Sequence, residues 1–364
     1  MPNSCVALIH GDKRYENVSR ALGQIAAEVD LETKQRVLIK PNFVVTHNPL
    51  AATHIDAVRA VLDFVRARYD GPILIAEGPS SQPASEGFQG YGYEPVAKAS
   101  QATLLDLNHD EPWDVQVYDR QLRPLHLHLA RSVVDSDFRI SVGPPKTHDV
   151  VIVTLSLKNM IMGSLISRFT HAEPHRNGNG FDLGRLSQAL WRRLPHWVRH
   201  LPPAEWVTFR AMSTLEPSDK MKMHQSYPVI NLNLALIAPL VAPHLAVIDA
   251  FEAMEGNGPS EGTPVPLHLA LASTDALAAD TAGAKLMGFD VDEVGYLHYC
   301  KRLGLGTGDL DRIQIVGNAR LADHARQFRP HYAIHRQRRW KLAEADKYLH
   351  PAHGPENGLL ARTR

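Results

Sequence analysis

An apolar run, Phe138-Arg139-Ile140-Ser141-Val142, ends in Gly143-Pro144-Pro145 and is followed at once by Lys146, Thr147 and His148. The run reads as a buried strand. The turn cannot be helix and would make a poor central strand, because proline supplies no backbone N–H. A second apolar stretch, Val153 to Leu157, then closes on Lys158 and Asn159. Open α/β sheets hold their ligands just outside the carboxyl ends of their strands. The pattern predicts two strands whose lysines enter one site or else face water.

The same form recurs at three other places. Arg36-Val37-Leu38-Ile39 closes on Lys40-Pro41-Asn42. Pro72-Ile73-Leu74-Ile75-Ala76 closes on Glu77, Gly78, Pro79 and Ser80. Leu245 to Ile248 closes on Asp249, followed by Met254-Glu255-Gly256-Asn257-Gly258-Pro259. Four strand ends that deliver polar groups in the same orientation suggest a single shared site.

These motifs, taken together and in order, resemble the DUF362 family, a large prokaryotic group of uncharacterised domains. The resemblance is carried by Ile39-Lys40-Pro41-Asn42, Thr53-His54, Glu77-Gly78-Pro79, Pro145-Lys146-Thr147-His148, Thr154-Leu155 to Lys158-Asn159, Ile248-Asp249-Ala250, Met254-Glu255-Gly256, Gly258-Pro259 and Leu286-Met287-Gly288. It spans roughly residues 5 to 317, each motif weak alone and specific in combination. It implies no particular activity. Many members look like iron–sulfur proteins because they carry a ferredoxin-like cysteine segment. This chain departs from that pattern, since it has only Cys5 and Cys300. Two thiols cannot supply the usual four ligands, so no intrinsic iron–sulfur cluster is expected.

The first third alternates strand and helix signals: strand Val6–His10, helix Val18–Val29, strand Val37–Lys40, a helix capped by the Thr53 hydroxyl with Asp56 as partner, and strand Ile73–Ala76. Such alternation predicts an α/β fold with a mostly parallel sheet and helices on both faces. Residues 164–227 break the rhythm and are read as an inserted, partly helical lid. Helix Asn231–Leu240, strands at Leu245–Asp249 and Leu267–Ala272, an alanine-rich helix Asp275–Met287 capped by Gly288, and strand Ile313–Gly317 complete a domain over 1–325. Residues 326–364 form a basic appendage. Between Arg326 and His350, seven Arg and Lys stand against two acids. Overall neutrality, 39 bases against 39 acids, argues against a nucleic-acid role for that segment.

The composition, 44% apolar and 21% charged, is that of a soluble globular protein, and 364 residues suffice for one large domain or two. The N-terminal residues lack a basic, then apolar leader, and the longest apolar stretch is interrupted by Asn233, Pro239, Pro243 and His244. A cytoplasmic protein without a membrane span is expected.

Three lysines converging at strand ends repel one another unless an anion or a carboxylate offsets them. Lys40, Lys146 and Lys158 therefore suggest a site for a small anionic substrate, with Asn42, Glu77, Gly78, Ser80, Asn159, Gly256 and Gly258 as further binding groups. The glycines would offer backbone N–H groups to the anion. The catalytic set is Lys146, His148, Lys158, Asp249 and Glu255, with a crowded lysine as general base or Schiff-base amine. The bland alternative pairs the lysines structurally with Glu77, Asp249 or Glu255. A metal reading uses His148, His171, His175 and His224 as ligands for a divalent transition metal, against solvated loop histidines. No GxGxxG or Walker sequence supports a standard nucleotide site. The functional expectation is an enzyme for a small anionic substrate, by proton-transfer or metal-assisted redox chemistry. The alternative is a non-catalytic binding or accessory protein that works with a separate redox partner.

Overall fold

The computed structural model describes residues 4–80, 82–167 and 218–350. Its first half runs β1 (Ser4–His10), α1 (Arg14–Gln24), β2 (Val37–Lys40), α2 (Ile55–Arg66), β3 (Ile73–Glu77), α3 (Ala84–Gly90), α4 (Tyr93–Ala99) and β4 (Ala102–Asp106). A hairpin of β5 (Pro112–Tyr118) and β6 (Pro124–Ala130) and a short α5 (Arg131–Val134) lead to β7 (Phe138–Gly143). Then come β8 (Lys146–His148), β9 (Ile152–Thr154) and α6 (Ser156–Ser164). Later strands are β10 (Leu245–Ile248), β11 (Glu252–Glu255), β12 (Thr263–Pro266), β13 (Leu269–Ser273) and β14 (Ile313–Gly317).

The main sheet has eight strands in the order β14-β1-β13-β10-β7-β2-β3-β4. Only β13 runs against the others; it pairs antiparallel with β1 and β10, and the remaining pairs are parallel. The fold is thus α/β and mostly parallel. Its strands alternate two apolar faces, as expected when both sides of a sheet are covered. Ala7, Ile9, Val37, Ile39, Ile140 and Val142 pack against α1, α2 and α4. Val6, Leu8, Leu38, Ala246 and Ile248 face the opposite core, shared with α6 and the helices Tyr227–Val241 and Ala276–Leu286.

After β2 the chain moves through β3 to β4 on one side, and after β7 it moves to β10 on the other. The crevice between the carboxyl ends of β2 and β7 is therefore a topological switch point, where such sheets bind ligands. A second, four-stranded sheet, β12-β11-β8-β9, stands over that edge, with β8 parallel to β11.

Several sequence readings change. The N-cap of α2 is His54, whose Nδ1 accepts from the Asp56 N–H at 3.1 Å. Thr53 is buried instead, accepting from Asn42 N and donating to Val142 O, each at 2.8 Å, and so ties β2 to β7. Lys158 and Asn159 do not end a strand; they lie in the first turns of α6. Asp280 explains why a helix starts there. Its buried carboxylate accepts from Ser156 N at 2.7 Å and Leu157 N at 2.9 Å, which satisfies two otherwise orphaned donors. Residues 164–167 and 218–227, read from sequence with the insertion, are joined to each other by the bridge Ser167–Ser218 and to β6 by the bridge Leu129–Leu165. The basic segment packs too: Phe328 and Trp340 are buried, and Trp340 Nε1 donates to Glu293 O at 2.8 Å. Among the described residues no helix is long and apolar enough to cross a membrane.

Candidate functional site

Lys40 ends β2 fully buried, and its ammonium pairs with Glu77 at the end of β3. It also donates to Pro41 O at 3.0 Å and to Asn159 Oδ1 at 3.1 Å. The same Asn159 oxygen accepts from Asn42 Nδ2 at 2.8 Å, and Asn42 Oδ1 accepts from Lys146. Lys146, also fully buried, donates to Ala51 O at 2.7 Å. An unbroken hydrogen-bond chain thus links Glu77, Lys40, Asn159, Asn42 and Lys146. Asn159 Nδ2 anchors the chain to Ser141 Oγ on β7 at 3.0 Å.

Lys158 stands beside this chain and is slightly more accessible, at 7% exposure. Its Nζ lies 2.7 Å from His148 Nε2. Lys40 and Lys146 are joined through Asn159 and Asn42, and Lys158 is within electrostatic reach of both; they come from a β2 strand end, a strand of the small sheet and a helix, not from one sheet edge. Sequence reasoning missed a fourth, Lys220. It is buried and donates to Asn108 Oδ1 at 2.8 Å and to Leu165 O. It lies inside the stretch 164–227 read as a lid, so it was not weighed with the strand-end lysines. Gly78 makes room for it, since a Cβ there would come within 2.9 Å of Lys220 Nζ.

Burial dominates the electrostatics. It draws Lys40 down and pushes Glu77 up, and their ion pair opposes both shifts. Lys146, with neutral oxygen partners and Lys158 and Lys40 nearby, is held well below the usual lysine range. Burial lowers Lys158 to about 8 and Lys220 to about 7. His148 is held well below its ordinary value by burial, then by Lys158, His224 and His331.

Other predicted residues lie apart from this chain. Asp249 follows β10 directly and pairs with Arg14 at 3.1 Å; burial raises it to about 6 despite that partner. Glu255 accepts from Arg329 N at 3.0 Å, so it clamps the C-terminal segment. The N–H of Gly256 donates to Arg329 O at 2.7 Å and is not offered to an anion. Gly258 is set by close packing: a Cβ there would lie 2.1 Å from Thr147 O. Ser80 is half-buried in the turn after β3.

For a metal, His148 and His224 are within electrostatic reach of one another, and burial, with Lys158 adding to it, lowers His224 to about 4. His171 and His175 lie outside the described residues. Among the described residues no group of three His, Cys, Asp or Glu is arranged to hold a metal ion. Cys5 sits on β1 and Cys300 in the helix Gly295–Arg302, and burial raises both thiols away from the thiolate form a cluster requires.

One glycine reports how tightly the site is built. A Cβ at Gly163 of α6 would sit 1.9 Å from Lys40 Cε. Gly163→Ala is expected to push Lys40 off Glu77 and to cost about 2 kcal/mol, typical of forced overpacking. Urea unfolding measures it, and a change of a few tenths of a kcal/mol would mean that Lys40 relaxes freely.

The chain is 22% identical over 275 residues to the thylakoid-associated protein sll1697 of Synechocystis sp., a match covering 74% of this chain and 68% of that protein. Among solved structures it resembles the lactate racemase apoprotein of Thermoanaerobacterium thermosaccharolyticum, with TM-score 0.32 and 17% identity. That match covers 45% of this chain and spans 39% of that protein's length. A family model described as a domain of unknown function matches residues 37–285, from β2 through most of the helix that carries Asp280. The chain, with its lysine motifs inside that span, belongs to the DUF362 family.

Proposed function

We propose that the protein is an enzyme for a small anionic organic substrate, in which the lysine cluster holds the anion and the Lys158–His148 pair moves a proton. The carrying observation is how the lysines around the switch-point crevice are bonded, with Glu77, Asp106, Asp149 and Asp219 acting on them only at longer range apart from the Lys40–Glu77 pair. Lys40 is bonded to a carboxylate, whereas Lys146 and Lys220 are bonded to neutral oxygens and Lys158 to an imidazole. Buried ammonium groups with neutral partners are costly, and a bound anion relieves that cost. Catalytic sites need bases tuned toward neutral pH, and Lys158, lowered to about 8, meets that need.

Calorimetry with a panel of small carboxylates and phosphates tests this reading. At least one member is expected to bind, and Lys146→Met and Lys220→Met are each expected to weaken it tenfold or more. Affinity unchanged in both variants, or no binding across the panel, would remove the anion site.

A further inference from the structure

The His148 ring is oriented from its other nitrogen. Nδ1 lies 3.0 Å from the Val150 N–H and 3.3 Å from the Val151 N–H, both of which donate to it. The Asp149 carboxylate is also 3.0 Å from Nδ1. If Nδ1 carried the proton it would satisfy Asp149 but face two backbone donors. As an acceptor it satisfies both donors. With the proton on Nε2, the neutral ring donates to Lys158 Nζ at 2.7 Å, at the cost of setting the Asp149 carboxylate against an unprotonated Nδ1. A nitrogen can accept that bond only as a free amine.

Two further features favour a reactive amine. Lys158 is the most accessible lysine of the cluster, at 7% against 0% for Lys40 and Lys146 and 2% for Lys220. Burial disfavours its charged form, Lys40 adds to the effect, and the Asp149 carboxylate opposes it. Asn42, Ser141, Thr154, Ser156 and Asn159 pack together without room between them for a water molecule. The buried hydroxyls of Thr154 and Ser156 have no hydrogen-bond partner among the described residues. Buried polar groups are normally paired, so these two can serve a ligand oxygen only once that packing opens.

We propose that Lys158 forms an imine with a small anion that bears an aldehyde or ketone carbonyl, such as a 2-oxo acid, whose charge the lysine cluster holds. The proposal rests on the anion-binding reading above and names its substrate class. The amine lone pair attacks the carbonyl carbon, a C–N bond forms, and the carbonyl pair moves to oxygen. His148 Nε2 gives a proton to oxygen as it takes one from nitrogen, and ends neutral. The oxygen leaves as water with the two former amine hydrogens. No oxidant, reductant or metal enters the balance.

The test is borohydride trapping of the full-length protein with pyruvate, glyoxylate or dihydroxyacetone phosphate, alongside calorimetry with each. The expected adduct gains the mass of the carbonyl compound less one oxygen atom and maps to the Lys158 peptide. Trapping is expected to rise with pH through about 8 and to fall at least tenfold in Lys158→Arg. Surface lysines would instead label through about 10. Binding without an adduct at Lys158 overturns the imine and leaves the anion site standing. An adduct on another lysine, retained in Lys158→Arg, also overturns it. Binding of phosphate but of no carbonyl compound removes the substrate class. Competitive acylation of the wild-type protein, read at Lys158 against pH, gives the amine's titration without any variant.

Discussion

Replacing Glu77 by glutamine is expected to remove about 3 kcal/mol of stability, as breaking a buried ion pair commonly does. Glu77 is 2% exposed and Lys40 is fully buried. The glutamine still accepts a hydrogen bond but carries no charge, so the Lys40 ammonium is left with neutral oxygens alone, Pro41 O and Asn159 Oδ1 among them. Burial already draws Lys40 down, so the lysine can escape by releasing its proton, which caps the loss. The pair is also the first link of the chain to Lys146, so anion binding should weaken with stability. A double variant, Lys40→Met with Glu77→Leu, is expected to recover most of the stability while anion binding stays lost. Chemical denaturation reads the first effect and calorimetry the second. A loss under about 1 kcal/mol in Glu77→Gln would show that the pair contributes like a surface bridge.

The elements were legible where local signals are strong. Period-two and continuous apolar runs marked β2, β3, β7 and β10, and their alternation with helices gave the parallel sheet. The Lys40, Lys146 and Lys158 motifs were legible because lysines directly after apolar runs are unusual. What was not legible came from partners distant in sequence. Thr53 looks like an N-cap, yet Val142 O, 89 residues away, takes its hydroxyl. Ser156 to Asn159 reads as a strand end, yet Asp280, 124 residues from Ser156, caps it as a helix. Asp280 was hidden because a lone acid among alanines looks like a solvated position. Lys220 was hidden because its neighbours, Asp219, Lys222 and His224, read as an ordinary polar turn. Glu255 and Gly256 share the strand-end form of the lysine motifs but serve the C-terminal segment through Arg329. Spacing does not distinguish those two uses.

Without an added anion, folding stability should rise by about 3 kcal/mol between pH 7 and pH 9, reaching this through the linkage between protons and folding. The sign follows from the lysines. Lys158 titrates near 8 and Lys220 near 7 in the folded chain, against an ordinary value of 10.5. Between those values the unfolded chain holds more protons than the folded one, so raising the pH removes a penalty that only the folded state bears. Lys40 and Lys146 are shifted in the same direction and add to it. Below pH 7 opposing terms mix. Asp249 and Asp280, raised to about 6 and about 7, lower stability as pH climbs from about 4, while His224, lowered to about 4, raises it. The window above 7 is therefore the informative one. A bound anion favours the ammonium forms and should flatten the rise, adding about 2.7 kcal/mol at pH 7 when present at a hundred times its Kd. Lys220→Met should remove part of the slope and, having no ammonium to bury, should not lose stability at pH 7. Unfolding midpoints that are flat from pH 7 to 9, or that fall, would mean that these lysines are solvated or matched by charge, and the case for an anion at the switch point would fall with them.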